Sequence, residues 1–151
     1  MTNATQAKPE RLIDARGPRY TAAITTLVLS AALVTESNLI IGFQFAVFLS
    51  AVLFGLRRSI YGFIYRNLIQ PRLSGPIPSE NEAAPRFAQL IGALFAFVAL
   101  AGGLTGNSAV FLIATSFALG AAFLNAAFGF CLGCQFYLIL IRGKARFSSK
   151  N

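Results

Sequence analysis

Between Phe87 and Ile141 the chain carries no Lys, Arg, Asp or Glu. Drawn as a single helix, that run would be about 80 Å long at 1.5 Å per residue. A bilayer core is only about 30 Å thick and takes roughly 20 helical residues to cross. The run must therefore fold back, and the break is legible from Gly102 to Ser108, where glycines, Thr105 and Asn107 favour a turn. This predicts spans over about 87–104 and 109–128. Upstream, Thr21–Val34 is apolar, Thr35-Glu36-Ser37-Asn38 is a short polar turn, and Leu39–Leu56 is apolar again, which predicts spans over about 20–35 and 39–57. Ser59–Leu73 mixes Tyr61, Tyr65, Arg66 and Arg72 with Ile60, Phe63 and Ile64, the composition of a helix lying on a membrane surface and stopped by Pro71. Residues 74–83 form a polar linker with chain breakers, residues 1–12 a mobile tail, 128–142 a second post-hairpin segment, and 143–151 a basic tail.

The two hairpins resemble each other at an offset of 67 residues. Pro18-Arg19-Tyr20 matches Pro85-Arg86-Phe87, and Ile24, Leu27, Ala32 and Leu33 match Ile91, Leu94, Ala99 and Leu100. Tyr61-Gly62-Phe63 is matched to Phe128-Gly129-Phe130. The expected architecture is an all-α membrane protein: four transmembrane helices as two tandem hairpin repeats (13–73 and 84–142), each followed by an interfacial helical segment. The repeat requires the first span, which argues against reading residues 11–34 as a cleaved signal peptide.

Charge orients this scheme. The protein has 151 residues, 56% hydrophobic and 12% charged, with a net charge of +8. Such basicity would fit a nucleic-acid binder, but the uncharged run excludes a soluble one. Both hairpin turns lack Lys and Arg. The basic residues fall instead in the N-terminal segment (Lys8, Arg11, Arg16, Arg19), the connector (Arg57, Arg58, Arg66, Arg72, Arg86) and the tail (Arg142, Lys144, Arg146, Lys150). The positive-inside rule then places both termini and the connector in the cytoplasm, in an inner or plasma membrane. A five-span reading would push the tail outside. The bilayer, with its anionic lipid, is the expected partner of the basic surface; nucleic acid is not.

Candidate chemistry is confined to Cys131-Leu132-Gly133-Cys134, the only two cysteines. Thiols at i and i+3 share a helix face and can form a disulfide or hold one metal ion. Zinc needs four ligands, and the chain has no His and no further Cys. Two such cysteines can also be mere apolar packing. In a reducing cytoplasm a permanent structural disulfide is not expected, which favours disulfide exchange or persulfide transfer. Arg19, Arg66 and Arg86 fall on the same side and are candidate thiolate-stabilising cations, or simply topology anchors. Asn125 and Gln135 flank the motif, and Gly129 and Gly133 read as a small-xxx-small step for close backbone approach. No ionisable residue lies inside the spans, so a proton-driven pump is disfavoured. No nucleotide loop, haem ligand or carboxylate pair is present, and no cofactor is expected.

The opening Asp14-x-Arg16-x-Pro18-Arg19-Tyr20, the second Pro85-Arg86-Phe87 and the run Phe130-Cys131-Leu132-Gly133-Cys134 with Tyr137 resemble the bacterial membrane family catalogued as domain of unknown function 4395. The resemblance covers about residues 12–142. It implies a small multi-span protein, frequent in actinobacteria and often encoded near thioredoxin-like or sulfurtransferase proteins. The expected function is thus a thiol-redox or sulfur-relay component that uses Cys131 and Cys134 with a thioredoxin-like or rhodanese-like cytoplasmic partner. The rival readings are a non-enzymatic scaffold or accessory subunit, and a path for a small sulfur anion between the repeats.

Overall fold

The computed structural model describes residues 11–150; residues 1–10, with Lys8 and most of the segment read as a mobile tail, and Asn151 lie outside the described residues. The described chain is mostly helical. Helix α1 spans Arg16–Thr35 and α2 spans Asn38–Phe54. A short α3, Ile60–Ile64, continues as a π-turn (Tyr65–Ile69) and a 3-10 turn (Gln70–Arg72). Then come α4 (Ala83–Leu104), α5 (Ser108–Phe128) and α6 (Leu132–Ser148).

The polar breaks end and restart helices by side-chain capping. Helix α1 stops where Glu36 takes a left-handed φ of 49°, and the Ser37 hydroxyl then accepts from the Ile40 N–H to start α2. Asn107 does the same for α5, accepting from the Val110 N–H at 3.2 Å. Helix α1 packs on α5 and α2 on α4, with α4 also against α5 and α6. The interior is lined with small residues: Ala96 and Ala99 of α4 and Ala32 of α1 are fully buried, around Leu29, Ile41 and Phe111. Large apolar side chains point the other way, with Leu27 73% and Phe117 63% exposed. Helices α4 and α5 are long and apolar enough to cross a membrane, and α2 is apolar but shorter.

A two-stranded antiparallel ribbon joins the start of the chain to residues read above as a linker. Strand β1 is Leu12–Asp14 and β2 is Ser79–Asn81, with Leu12 opposite Asn81, Ile13 opposite Glu80 and Asp14 opposite Ser79. The bonds beyond the ribbon are reciprocal: the Ala15 N–H donates to the Pro78 carbonyl and the Glu82 N–H to the Arg11 carbonyl. Under the 67-residue offset Ile13–Glu80 exchanges its own members, Leu12–Asn81 maps onto Asp14–Ser79 and the two outer bonds map onto each other, so a local two-fold axis passes between Ile13 and Glu80. Asp14 and Asn81 each accept from the N–H two residues on, launching α1 and α4 respectively.

The offset does not persist beyond the first helix of each hairpin. Helix α2 has 17 residues and α5 has 21, about one extra turn. The glycines that cap them, both at positive φ, are Gly55 and Gly129. Gly62, aligned with Gly129 in the sequence reading, lies instead inside α3, where a Cβ would run into the Leu56 carbonyl. That match is corrected: the added turn in α5 shifts everything after it.

Candidate functional site

Cys131 is the N-cap of α6 in extended backbone, and its sulfur accepts from the Cys134 N–H at 3.2 Å. Cys134 sits in the first turn, its Cα 5.2 Å from that of Cys131, and the two sulfurs are disulfide-bonded. The pair therefore straddles a helix start rather than sharing a helix face, because Gly129 has already ended α5 and the chain re-enters helix only at Leu132. An N-cap sulfur faces the unpaired N–H groups and positive dipole end of its helix, which favour negative charge on it.

The two glycines around the motif do different work. Gly129 is the left-handed cap of α5, at φ 67°, with nothing near its Cβ position. Gly133 alone gives close approach: a Cβ there would meet the Ala88 Cα at 2.5 Å, so α6 crosses α4 at that point. The Tyr137 and Phe87 rings, 5.6 Å apart, continue the same contact. The equivalent contact in the first half is Tyr65 on Tyr20, also at 5.6 Å. Ser59, the N-cap of α3, accepts from the Gly62 N–H as Cys131 does from Cys134. The motif thus occupies the place of a Ser-x-x-Gly cap in the other half of the chain.

The arginines named as cation candidates are engaged elsewhere. The Arg19 guanidinium donates to the Ala126 and Ala127 carbonyls at the end of α5, at 3.1 and 3.3 Å. Arg86 donates to the Val52 and Leu53 carbonyls at the end of α2, with Nε 2.8 Å from Val52 O. Each thus caps the C-terminus of the partner hairpin's second helix, where a cation is favoured. Arg66 lies with Arg11, Arg57, Arg58 and the buried Glu82 around a cavity of about 440 Å³. Glu82 accepts from the Leu56 N–H at 2.6 Å. None of the three arginines hydrogen-bonds to a cysteine among the described residues. Gln135 is exposed.

A polar centre absent from the sequence reading lies at the ribbon. The Asp14 side chain, 6% exposed, accepts from Arg16 N, Nε and Nη2 and from the Tyr65 hydroxyl at 2.8 Å. Burial pushes its carboxyl up, but the bonds from Arg16 and then Tyr65 outweigh this and hold it below its ordinary value. The Tyr65 phenol is pushed up to about 12, by burial first and then by Asp14. Tyr61 is likewise pushed up to about 12 by burial, and its hydroxyl donates to the buried Gln44. The Asp14–Arg16 spacing was the available signal; Tyr65, 51 residues away, had none.

Beside Cys131 lies an apolar cavity of about 360 Å³ between α1, α4, α5 and the start of α6. Its wall includes Thr25, Gln89 and Asn125 among phenylalanines and alanines. No curated protein and no solved structure matches the chain. The family described as Domain of unknown function (DUF4395) matches residues 13–142, which take in all of the ribbon but Leu12, both hairpins and the cysteine pair. On that match the chain belongs to the DUF4395 family.

Proposed function

We propose that this protein is a small membrane carrier of thiol redox equivalents, with four membrane-crossing helices in two hairpin repeats and Cys131/Cys134 as its working pair. The observation that carries the reading is the disulfide at the start of α6, with Cys131 as N-cap and bonded to the Cys134 N–H. The membrane placement is supported by the outward large apolar side chains, the small-residue interior and the apolar character of α2, α4 and α5. The reciprocal ribbon bonds and the exchanged Arg19 and Arg86 caps support the repeat.

The chemistry follows from the cap. A partner's thiolate adds to the Cys131 sulfur, the intramolecular S–S bond breaks, and the electron pair goes to Cys134, which takes a proton. The partner's second thiol then attacks the mixed disulfide and Cys131 leaves as the thiolate, which the N-cap position stabilises. The partner is oxidised to a disulfide and the pair is reduced to a dithiol. A thioredoxin-like cytoplasmic protein, which carries a pair of thiols, has the right chemistry for this exchange. The test is a trap in native membranes: Cys134→Ser should accumulate a mixed disulfide through Cys131, and Cys131→Ser should accumulate far less. No adduct in either variant, with the wild-type disulfide resistant to mild reductant, would leave the bond a staple of α6 and favour the scaffold reading.

A further inference from the structure

Cys131 and Gly133, with Leu132 and Phe136, form one wall of the 360 Å³ cavity, so the disulfide segment faces a space inside the helix bundle. That volume lies within the roughly 300–1,000 Å³ typical of small-molecule sites. Its lining is dominated by apolar atoms, yet it holds the side chains of Thr25, Gln89 and Asn125. Thr25 is 3% exposed, and Gln89 and Asn125 are half-buried. A few polar side chains placed around an apolar space suit a ligand with hydrogen-bond acceptors on an apolar body. A second apolar groove, about 410 Å³ and lined by Leu94 and Val98, shares Ile91, Phe95 and Phe136 with the cavity. It continues the space along the outer face of α4, where Leu94 and Val98 are exposed.

We infer that this cavity binds a lipid-soluble quinone, its ring beside Cys131 and its tail along the groove on α4, and that the quinone takes up the electrons of the cysteine pair. The inference rests on the thiol-redox reading above. A ring with carbonyl oxygens matches the Thr25, Gln89 and Asn125 donors in the cavity wall, and an alkyl tail matches the groove. The stoichiometry also matches, since a dithiol and a quinone each exchange two electrons and two protons. The Cys131 thiolate adds to a ring carbon, forming a C–S bond. The Cys134 thiolate then attacks the Cys131 sulfur, the S–S bond forms, and the C–S pair returns to the ring. The two protons that left the thiols end on the ring oxygens, giving the quinol and the disulfide.

The experiment uses the full chain in lipid nanodiscs, reduced and freed of reductant, with a decyl-substituted benzoquinone as probe. One quinol per chain should appear as the two free thiols vanish, and Cys134→Ser should hold the quinone as a covalent adduct on Cys131. Thr25→Val and Asn125→Leu should raise the quinone concentration for half-maximal rate at least tenfold, while oxidation by diamide stays unchanged. Ala121→Leu, which fills the cavity, should do the same, with gel filtration to verify the fold. Re-oxidation by diamide and by a soluble protein disulfide, but not by the quinone, would overturn this inference and leave the thiol-exchange reading standing. Quinone oxidation at an unchanged rate in all three cavity variants would also overturn it. Thiols inert to every oxidant would overturn both.

Discussion

Asp14 shows what one side chain can organise here. Its carboxylate begins α1 through the Arg16 N–H, pairs with the Arg16 guanidinium and receives the Tyr65 hydroxyl, so it ties the ribbon to the segment after α2. Bonds of this kind to a charged, shielded group contribute about 1–3 kcal/mol together. Because the folded-state carboxyl is held below its ordinary value, that contribution is full above the unfolded value and fades as pH falls through and below it. The Tyr65 phenol works in the opposite sense: its contribution is full below the ordinary phenol value and is lost as pH rises towards about 12. We therefore expect Asp14→Asn to lower the unfolding temperature in detergent at neutral pH, with the gap to wild type closing as pH falls below about 4. A gap of constant size across that range would mean that the charge is irrelevant and only shape matters. At the same scale, the sequence reading found Cys131, Cys134, Arg19 and Arg86 but not their contacts. Spacing alone shows that Cys131 and Cys134 can bond. It does not show that Cys131 is a cap, since that depends on Gly129 ending the preceding helix.

Helix ends, rather than helix faces, carry most of the specific polar contacts. Arg86 closes the last carbonyls of α2 and Arg19 those of α5, so each hairpin is held by the other's first helix. Loss of the Arg86 bonds should cost roughly 1.5–3 kcal/mol, the range for hydrogen bonds to charged groups. Loss of the more exposed Arg19 bonds should cost less. Unfolding of Arg86→Ala and Arg19→Ala in detergent would test the order. Equal and negligible losses would return both residues to the role of surface anchors. A different constraint sets α6. Gly133 abuts the Ala88 backbone, which cannot yield as a flexible side chain would, so Gly133→Val should lift α6 from α4 at a cost of about 1–3 kcal/mol. Trypsin cleavage at Arg142 and Lys144 should then quicken about tenfold or more, one decade per 1.4 kcal/mol. An unchanged rate would mean that α6 is held by something other than this crossing. The hairpin turns at Glu36 and Asn107 were legible because polar residues interrupt long apolar runs. The ribbon was not: three-residue strands have no period to detect, and the pairing joins residues far apart in sequence.

At the scale of the molecule, two hairpins face each other across an axis that the ribbon marks, and charge gives that axis a direction. Arg16 and Arg19 begin α1, Arg57 and Arg58 follow α2, Arg86 begins α4, and Arg142, Lys144 and Arg146 ride on α6 after α5. The α1–α2 and α4–α5 turns, at Glu36-Ser37 and Thr105 to Asn107, carry no basic residue. If α1, α2, α4 and α5 all cross the bilayer, the arginines and lysines share one side and the two turns share the other. Basic loops are retained in the cytoplasm during insertion, so the ribbon, the arginine cavity and the Cys131/Cys134 pair should all face the cytoplasm. A reporter fused at Gly75 or after Asn151 should therefore read as cytoplasmic, and reporters placed at Ser37 or Asn107 as external. The stringent point is the end of the chain. An external reporter there, with Gly75 still cytoplasmic, would require α6 to cross the membrane as a fifth span. That would put Arg142 and Lys144 on the wrong side, separate the cysteine pair from a cytoplasmic partner and break the equivalence of the two hairpins. A cytoplasmic reading at both sites would leave α6 on the inner face, where a soluble thiol can reach Cys131 from one side and a membrane-borne molecule from the other.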